Sequence, residues 1–181
     1  MSITIRHAFR SDAVEILRLV HELAAYEDES DAVQATVESL QKTIAFAPEH
    51  GKPNEASNAI EYLPSPNRPA RCLLLHTSDG ELAGMAVYYY NYSTWTSKPG
   101  IFVEDLYVRL QHRRKGYGKR LLSELARELS SMDGGRLEWN VLKWNKPSIE
   151  FYQAIGAQSM DEWVGMRVDG DNIAKLAHTL D

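Results

Sequence analysis

The sequence predicts an α/β fold, one mixed β-sheet with helices on its faces. Two observations carry this. Stretches that alternate like strands are interleaved along the chain with stretches of helical periodicity. The 181 residues, 44% hydrophobic and 25% charged, suit a soluble protein able to bury a full core. Residues 1–181 therefore read as a single domain, carrying a Pro-rich loop insertion at about 47–70 that holds five of the seven prolines.

In order, "ITIRHAF" alternates and predicts a first strand. Asp12 and Glu15 make a capping-box pattern. Ala13, Ile16, Leu17, Val20, Leu23 and Ala24 then recur at helical spacing, so a first helix runs to about Tyr26. A second helix is predicted over about 34–46. After the insertion come strands at 71–77 and 81–92, joined by the turn "SDG", and a strand at 101–108, "IFVEDLYV". Tyr117, Leu121, Leu122, Leu125, Ala126 and Leu129 form one stripe of a third helix, followed by a strand at 135–142. "NKPSIEFYQAIG" reads as a short helix with Asn145 at its start, Pro147 in its first turn and Gly156 at its end. A last strand near 163–168 and a helix from about 171 complete the expectation.

Composition excludes several functions. A net charge of −5 argues against general nucleic-acid binding, which needs a broad basic face. The longest apolar runs, such as "CLLL" at 72–75, are too short to span a bilayer, and "MSITIRHAFR" lacks the apolar core of a signal peptide. The lone cysteine, Cys72, lies in a predicted buried strand, reads as core, and suits a reducing compartment; a cytoplasmic location is expected. The six histidines are scattered without metal-ligand spacing, so no metal is expected. No Gly-x-Ser-x-Gly elbow is present for serine catalysis.

One segment stands out from this acidic background. Arg109 to Arg120 contains six Lys or Arg residues and no acid, and within it "RRKGYGKRLL" opens the third helix. The segment is neither a Walker A loop nor a dinucleotide fingerprint, since Leu121 occupies the third glycine position. What remains is Arg113-x-x-Gly116-x-Gly118 between a strand and a helix. Unpaired N–H groups at such a helix start, backed by the helix dipole, bind phosphate oxygens, and glycines let a ligand approach the backbone closely.

Strand, Arg-x-x-Gly-x-Gly and amphipathic helix resemble the acyl-CoA pyrophosphate loop of the GCN5-related N-acetyltransferase superfamily. "WNKPSIEFYQAIGA" (144–157) resembles its second cofactor element. With "LVHELAAYE" (19–27), "YYYNYSTW" (88–95) and "VEDLYV" (103–108), the likeness narrows to the spermidine/spermine and thialysine acetyltransferase group. The resemblance implies a largely antiparallel sheet splayed at an acetyl-CoA site, and a homodimer acting on small amines. It also implies a set of roles. Backbone groups of Leu106, Tyr107 and Val108 would hold the pantetheine, and Arg113, Arg114, Lys115, Gly116, Tyr117, Gly118 and Lys119 the pyrophosphate. Asn145, Pro147, Ser148 and Tyr152 would line the thiol end. Tyr26, Glu27, Ser93, Trp95, Glu104, Asp105, Glu138, Trp139 and Asn140 would face the amine.

The chemistry of acetyl transfer adds constraints. A lysine-like ammonium, with a pKa near ~10.4, must lose a proton before it attacks, and Glu104 is the expected acceptor. Backbone N–H groups of the same strand would serve the developing oxyanion. The leaving thiolate needs a donor, and Tyr152 is the candidate. Ser148 and Tyr152 are spaced to share one helix face. Glu104 and Asp105, adjacent in a strand, are expected to point to opposite faces. Polyamine-preferring members carry an acid where this chain has Ser93, whereas "YSTW" resembles the thialysine-preferring branch, so a small amino-acid-like or short diamine substrate is expected. Acetylation of protein lysines and non-catalytic acyl-CoA binding are the alternatives.

Overall fold

A computed structural model describes residues 3–49 and 63–180, so most of the predicted insertion lies outside the described residues. The chain divides into two compact units, Met1–Asn140 and Val141–Asp181.

The first unit is built on a five-stranded sheet in the order β1-β2-β3-β4-β5: Thr4–His7, Ala70–His76, Leu82–Ser93, Lys98–Val108 and Arg136–Trp139. All neighbours are antiparallel except β4 and β5. A parallel pair needs a crossover, and helix α3 (Tyr117–Ser131) supplies it. Helices α1 (Ala13–Tyr26) and α2 (Val37–Thr43) precede β2.

Strand alternation sorts the core onto two sides. Cys72 and Leu74 of β2 and Met85 and Val87 of β3 join Ala13, Ile16 and Leu19 of α1 in one buried cluster. On the other side Tyr88 donates a hydrogen bond to Glu128 of α3 at 2.8 Å, and α3 buries Leu121, Leu122, Leu125 and Leu129. Helices thus cover both faces, as predicted. Cys72 is buried, and burial pushes its thiol well above the ordinary range, as suits a core residue.

Four expectations change. The Asp12–Glu15 capping box does not form, because Asp12 turns back. It accepts two hydrogen bonds from Arg6 (2.6 and 3.0 Å) and one from the Phe9 N–H (2.7 Å), and a charge-assisted fork outcompetes a neutral cap. Helix α2 is shorter than 34–46. Thr36 caps its start through the Ser39 N–H, and after Thr43 the chain extends so that the Ala45 N–H bonds to Ala70 O, burying Ile44, Ala45 and Phe46. The strand predicted at 135–142 pairs only over Arg136–Trp139. Residues 163–168 form no strand, and Trp163, Val164, Met166 and Val168 are exposed. Alternation marks a candidate strand, but a ladder needs a partner edge, and among the described residues this segment has none.

In the second unit α4 (Lys146–Ala154) and α5 (Asp171–Ala177) form where predicted. Asn145 Oδ1 accepts from the Ser148 N–H at 3.3 Å, and Gly156, with φ +94°, ends the helical turn.

Leu125, fully buried on α3, tests the second side of the core. Leu125→Ala is expected to cost about 2–5 kcal/mol in chemical denaturation, from lost transfer energy and the cavity left behind.

Candidate active site

The site begins with an irregularity in the sheet. The β3–β4 register runs unbroken from Gly84↔Val108 to Val87↔Asp105, after which Tyr88 pairs with Val103. Glu104 is therefore the extra residue of a β-bulge. Val87 belongs to the α1-side core, so its partner Asp105 points to that side. Tyr88 and Val103 point to the α3 side, so Glu104, next to Val103, turns back toward α1. The two acids thus share a side, contrary to the expectation from alternation, which holds only for an unbroken ladder.

Their proximity has an electrostatic cost. Burial, then the charges of Glu104 and Glu27, push the Asp105 carboxyl up to about 6. Glu27 is the C-cap of α1 and half-buried; burial, then Glu29, raises its pKa as well. Glu27, Glu104 and Asp105 form an acidic cluster suited to a cation.

The neighbouring ladder ends at the level of the bulge. Pairing between β5 and β4 ends at Val103↔Trp139, short of Leu106, Tyr107 and Val108. Trp139 and Asn140 therefore lie at the end of β5 beside the bulge. Glu138 is already engaged, accepting from Asn91 Nδ2 at 2.7 Å and pairing with Arg136 Nε at 2.7 Å.

Beyond β4 lies the basic segment. Arg114 (φ +62°) and Gly116 (φ +76°) both adopt the left-handed conformation, which costs a non-glycine residue about 1 kcal/mol. Gly116 is the N-cap of α3, and no side chain caps that helix start. Arg114, Lys115 and Lys119 are exposed, and Tyr117 and Gly118 are half-buried. An uncapped helix start ringed by exposed cations fits a diphosphate such as that of acetyl-CoA.

Two cations of the segment, Arg109 and Arg113, are engaged elsewhere. Arg109 holds Glu22 of α1 through three contacts of 2.8–3.1 Å and donates to Leu82 O at 2.9 Å. Arg113 donates Nε–H to Val108 O at 2.9 Å, and its Cζ lies 4.3 Å from the centre of the Tyr26 ring and 5.7 Å from that of Tyr107. The sequence places Arg113, but not Arg109, among the expected pyrophosphate-binding residues, and it does not point to Glu22. The available signal was spacing: Glu22 and Tyr26 sit one helical turn apart on α1.

Other predicted residues lie elsewhere. Ser93 pairs with Lys98, and Trp95, 89% exposed, occupies the hairpin turn. Lys98 is separated from Glu104 by about 20 Å of strand, so within one chain Ser93 and Trp95 do not join the acidic cluster. In the second unit, Ser148 and Tyr152 lie on one side of α4, with Pro147 in its first turn. The Tyr152 and Phe151 ring centres are 5.2 Å apart.

Residues 35–157 match the acetyltransferase (GNAT) family. A thialysine N-epsilon-acetyltransferase of Sus scrofa is 32% identical over 97% of this chain and 98% of its own length. An L-ornithine N5-acetyltransferase of Arabidopsis thaliana is 30% identical over 95% of this chain and 86% of its own. Among solved structures, an integron cassette protein of V. cholerae superposes with a TM-score of 0.72 at 22% identity, covering 98% of this chain and 99% of the other, which speaks to fold alone.

Asp105 binds its proton more tightly in the fold, at about 6, than in the unfolded chain, at 3.8. Its contribution to stability is therefore fully present below pH 3.8 and is lost as the pH rises through about 6. Asp105→Asn is expected to flatten that fall and to be more stable than the unaltered protein above pH 6.5 by on the order of 3 kcal/mol, measured by urea unfolding across pH.

Proposed function

The chain belongs to the acetyltransferase (GNAT) family, and we propose that it moves acetyl from acetyl-CoA to a primary amine of a small cationic substrate, a thialysine-like amino acid or a short diamine. The observation that carries this reading is the bulge at Glu104, which sets two carboxylates on one side of the sheet with Glu27. Relatives named for thialysine and ornithine favour an amino acid with a side-chain amine.

The cofactor supplies an acetyl thioester, and the chain supplies the rest. Arg114, Lys115, Gly116, Tyr117, Gly118 and Lys119 hold the diphosphate, and the β4 backbone from Leu106 to Val108 holds the pantetheine. Glu27 and Asp105 draw in the ammonium, and Glu104 accepts its proton. An ammonium beside Asp105 favours its ionised form, so amine binding weakens as the pH falls below about 6. Tyr152 donates a hydrogen bond to the leaving thiolate. Full proton transfer from an ordinary tyrosine (~10) to a thiolate (~8.5) is uphill by roughly 2 kcal/mol, so hydrogen bonding is the role it can fill unaided.

The deciding experiment is thiol release from acetyl-CoA with a panel of diamines, amino acids and histone-tail peptides. Thialysine-like or lysine-like amines are expected to give a higher kcat/KM than spermidine. Turnover of peptides alone would move the reading to protein lysines, and turnover of nothing to a binding module. Tyr152→Phe is expected to lower kcat on the order of 10- to 100-fold with acetyl-CoA affinity kept, and Glu104→Gln to shift the rate's rise with pH upward.

Cofactor binding is tested separately by thermal melting. Acetyl-CoA at 100 times its Kd should add about 2.7 kcal/mol to stability. Gly118→Val should remove most of that gain, since a branched side chain blocks approach to the backbone. A helical position accepts valine about as well as glycine, so the unliganded melt should change little.

A further inference from the structure

We propose that Arg113 positions the amine-binding end of α1 rather than binding phosphate, so that the cofactor loop and the amine site are mechanically joined. The proposal rests on the acetyltransferase reading above. Its guanidinium is committed twice, to Val108 O at the end of β4 and to the face of Tyr26. A second anchor lies one turn earlier, where Arg109 grips Glu22 with 14% and 31% of the two side chains exposed. Tyr107 completes the set, within 5.7 Å of Arg113 and with its hydroxyl pushed up in pKa by burial and then by Glu22.

The two contacts hold consecutive turns of α1, at Glu22 and at Tyr26, the residue before Glu27. They start from Arg109 and Arg113, the residues flanking the short 3₁₀ turn that leads from β4 into the phosphate loop. Arg114 follows at once in the left-handed conformation. The strained residue thus separates cations that face inward, to α1, from cations that face outward. The half-buried cation–aromatic contact at Tyr26 adds to the ion pair at Glu22 in holding this end of the helix.

Electrostatics makes the proposal easy to overturn. Arg113 is a positive charge near a site for a positive substrate. If it mattered only through its charge, removing it would lower the amine KM. If it holds Tyr26 and Glu27 in place, removing it raises that KM.

In the full chain, Arg113→Gln is expected to leave the calorimetric Kd for CoA within about twofold. It should raise the amine KM about 5- to 10-fold at saturating acetyl-CoA, with kcat little changed. Arg113→Lys, which keeps a cation over the ring, should recover much of that KM. Tyr26→Leu should also raise KM, and adding Arg113→Gln to it should do little more, because the two act through one contact. A tenfold loss of CoA affinity in Arg113→Gln, an unchanged or lower amine KM, or additive effects in the double variant would each overturn the proposal. A chain inert toward every amine would count against the function proposed above, and the CoA affinity of Arg113→Gln would still decide whether this guanidinium binds phosphate.

Discussion

One extra residue in β4 sets the geometry on which the rest of the first unit depends. Without the bulge at Glu104, the ladder from Gly84↔Val108 would continue in phase, and adjacent acids would fall on opposite sides of the sheet. With it, the phase shifts by one, and Glu104 joins Asp105 on the side of α1. The β5 ladder ends at Val103, level with this irregularity, and the last residues of β4 lie beyond it. Carboxylate placement thus follows from the bulge, and the β5 ladder stops at the same level of β4.

That arrangement opposes stability. Asp105 is held against burial and against two like charges, which is why its carboxyl is raised to about 6. A structure optimised only for stability would place an apolar residue there. Compensation comes from beside the site, where Glu22 and Arg109 form a half-buried, multiply bonded pair and Arg113 covers Tyr26. Such a pair contributes most when its geometry is fixed, and here both partners sit on elements that also frame the acidic cluster.

Most of the architecture was legible in the sequence because periodicity and punctuation agreed. The stripe from Tyr117 to Leu129, the Asn145 cap with Pro147, and the strands about Cys72 and Met85 all fall where the pattern put them. The failures share a different character. Asp12 matched a capping box by spacing, but Arg6, distant from the pattern, took its carboxylate. Residues 163–168 alternate, yet alternation does not say whether an edge is available. The bulge is invisible because it is a relation between two strands, and no single strand's pattern contains it. The same holds for Glu22 and Tyr26, whose partners are contributed by a loop far along the chain.

The basic segment shows why a charge count is a coarse guide to a site. Its six cations form one run in sequence, but backbone conformation sorts them into two populations. Arg109 and Arg113 precede the left-handed residue Arg114 and turn to acceptors and rings of the fold. Arg114 and the cations after it, Lys115, Lys119 and Arg120, stay exposed around an uncapped helix start. Long-range attraction of an anionic ligand depends on net charge and is indifferent to this sorting. Binding geometry is not, since only donors that keep a free direction can meet a phosphate oxygen. A segment of this kind can therefore draw in a polyanion with all its charges, hold it with some, and use the others to fix the helix on which a cationic second substrate depends.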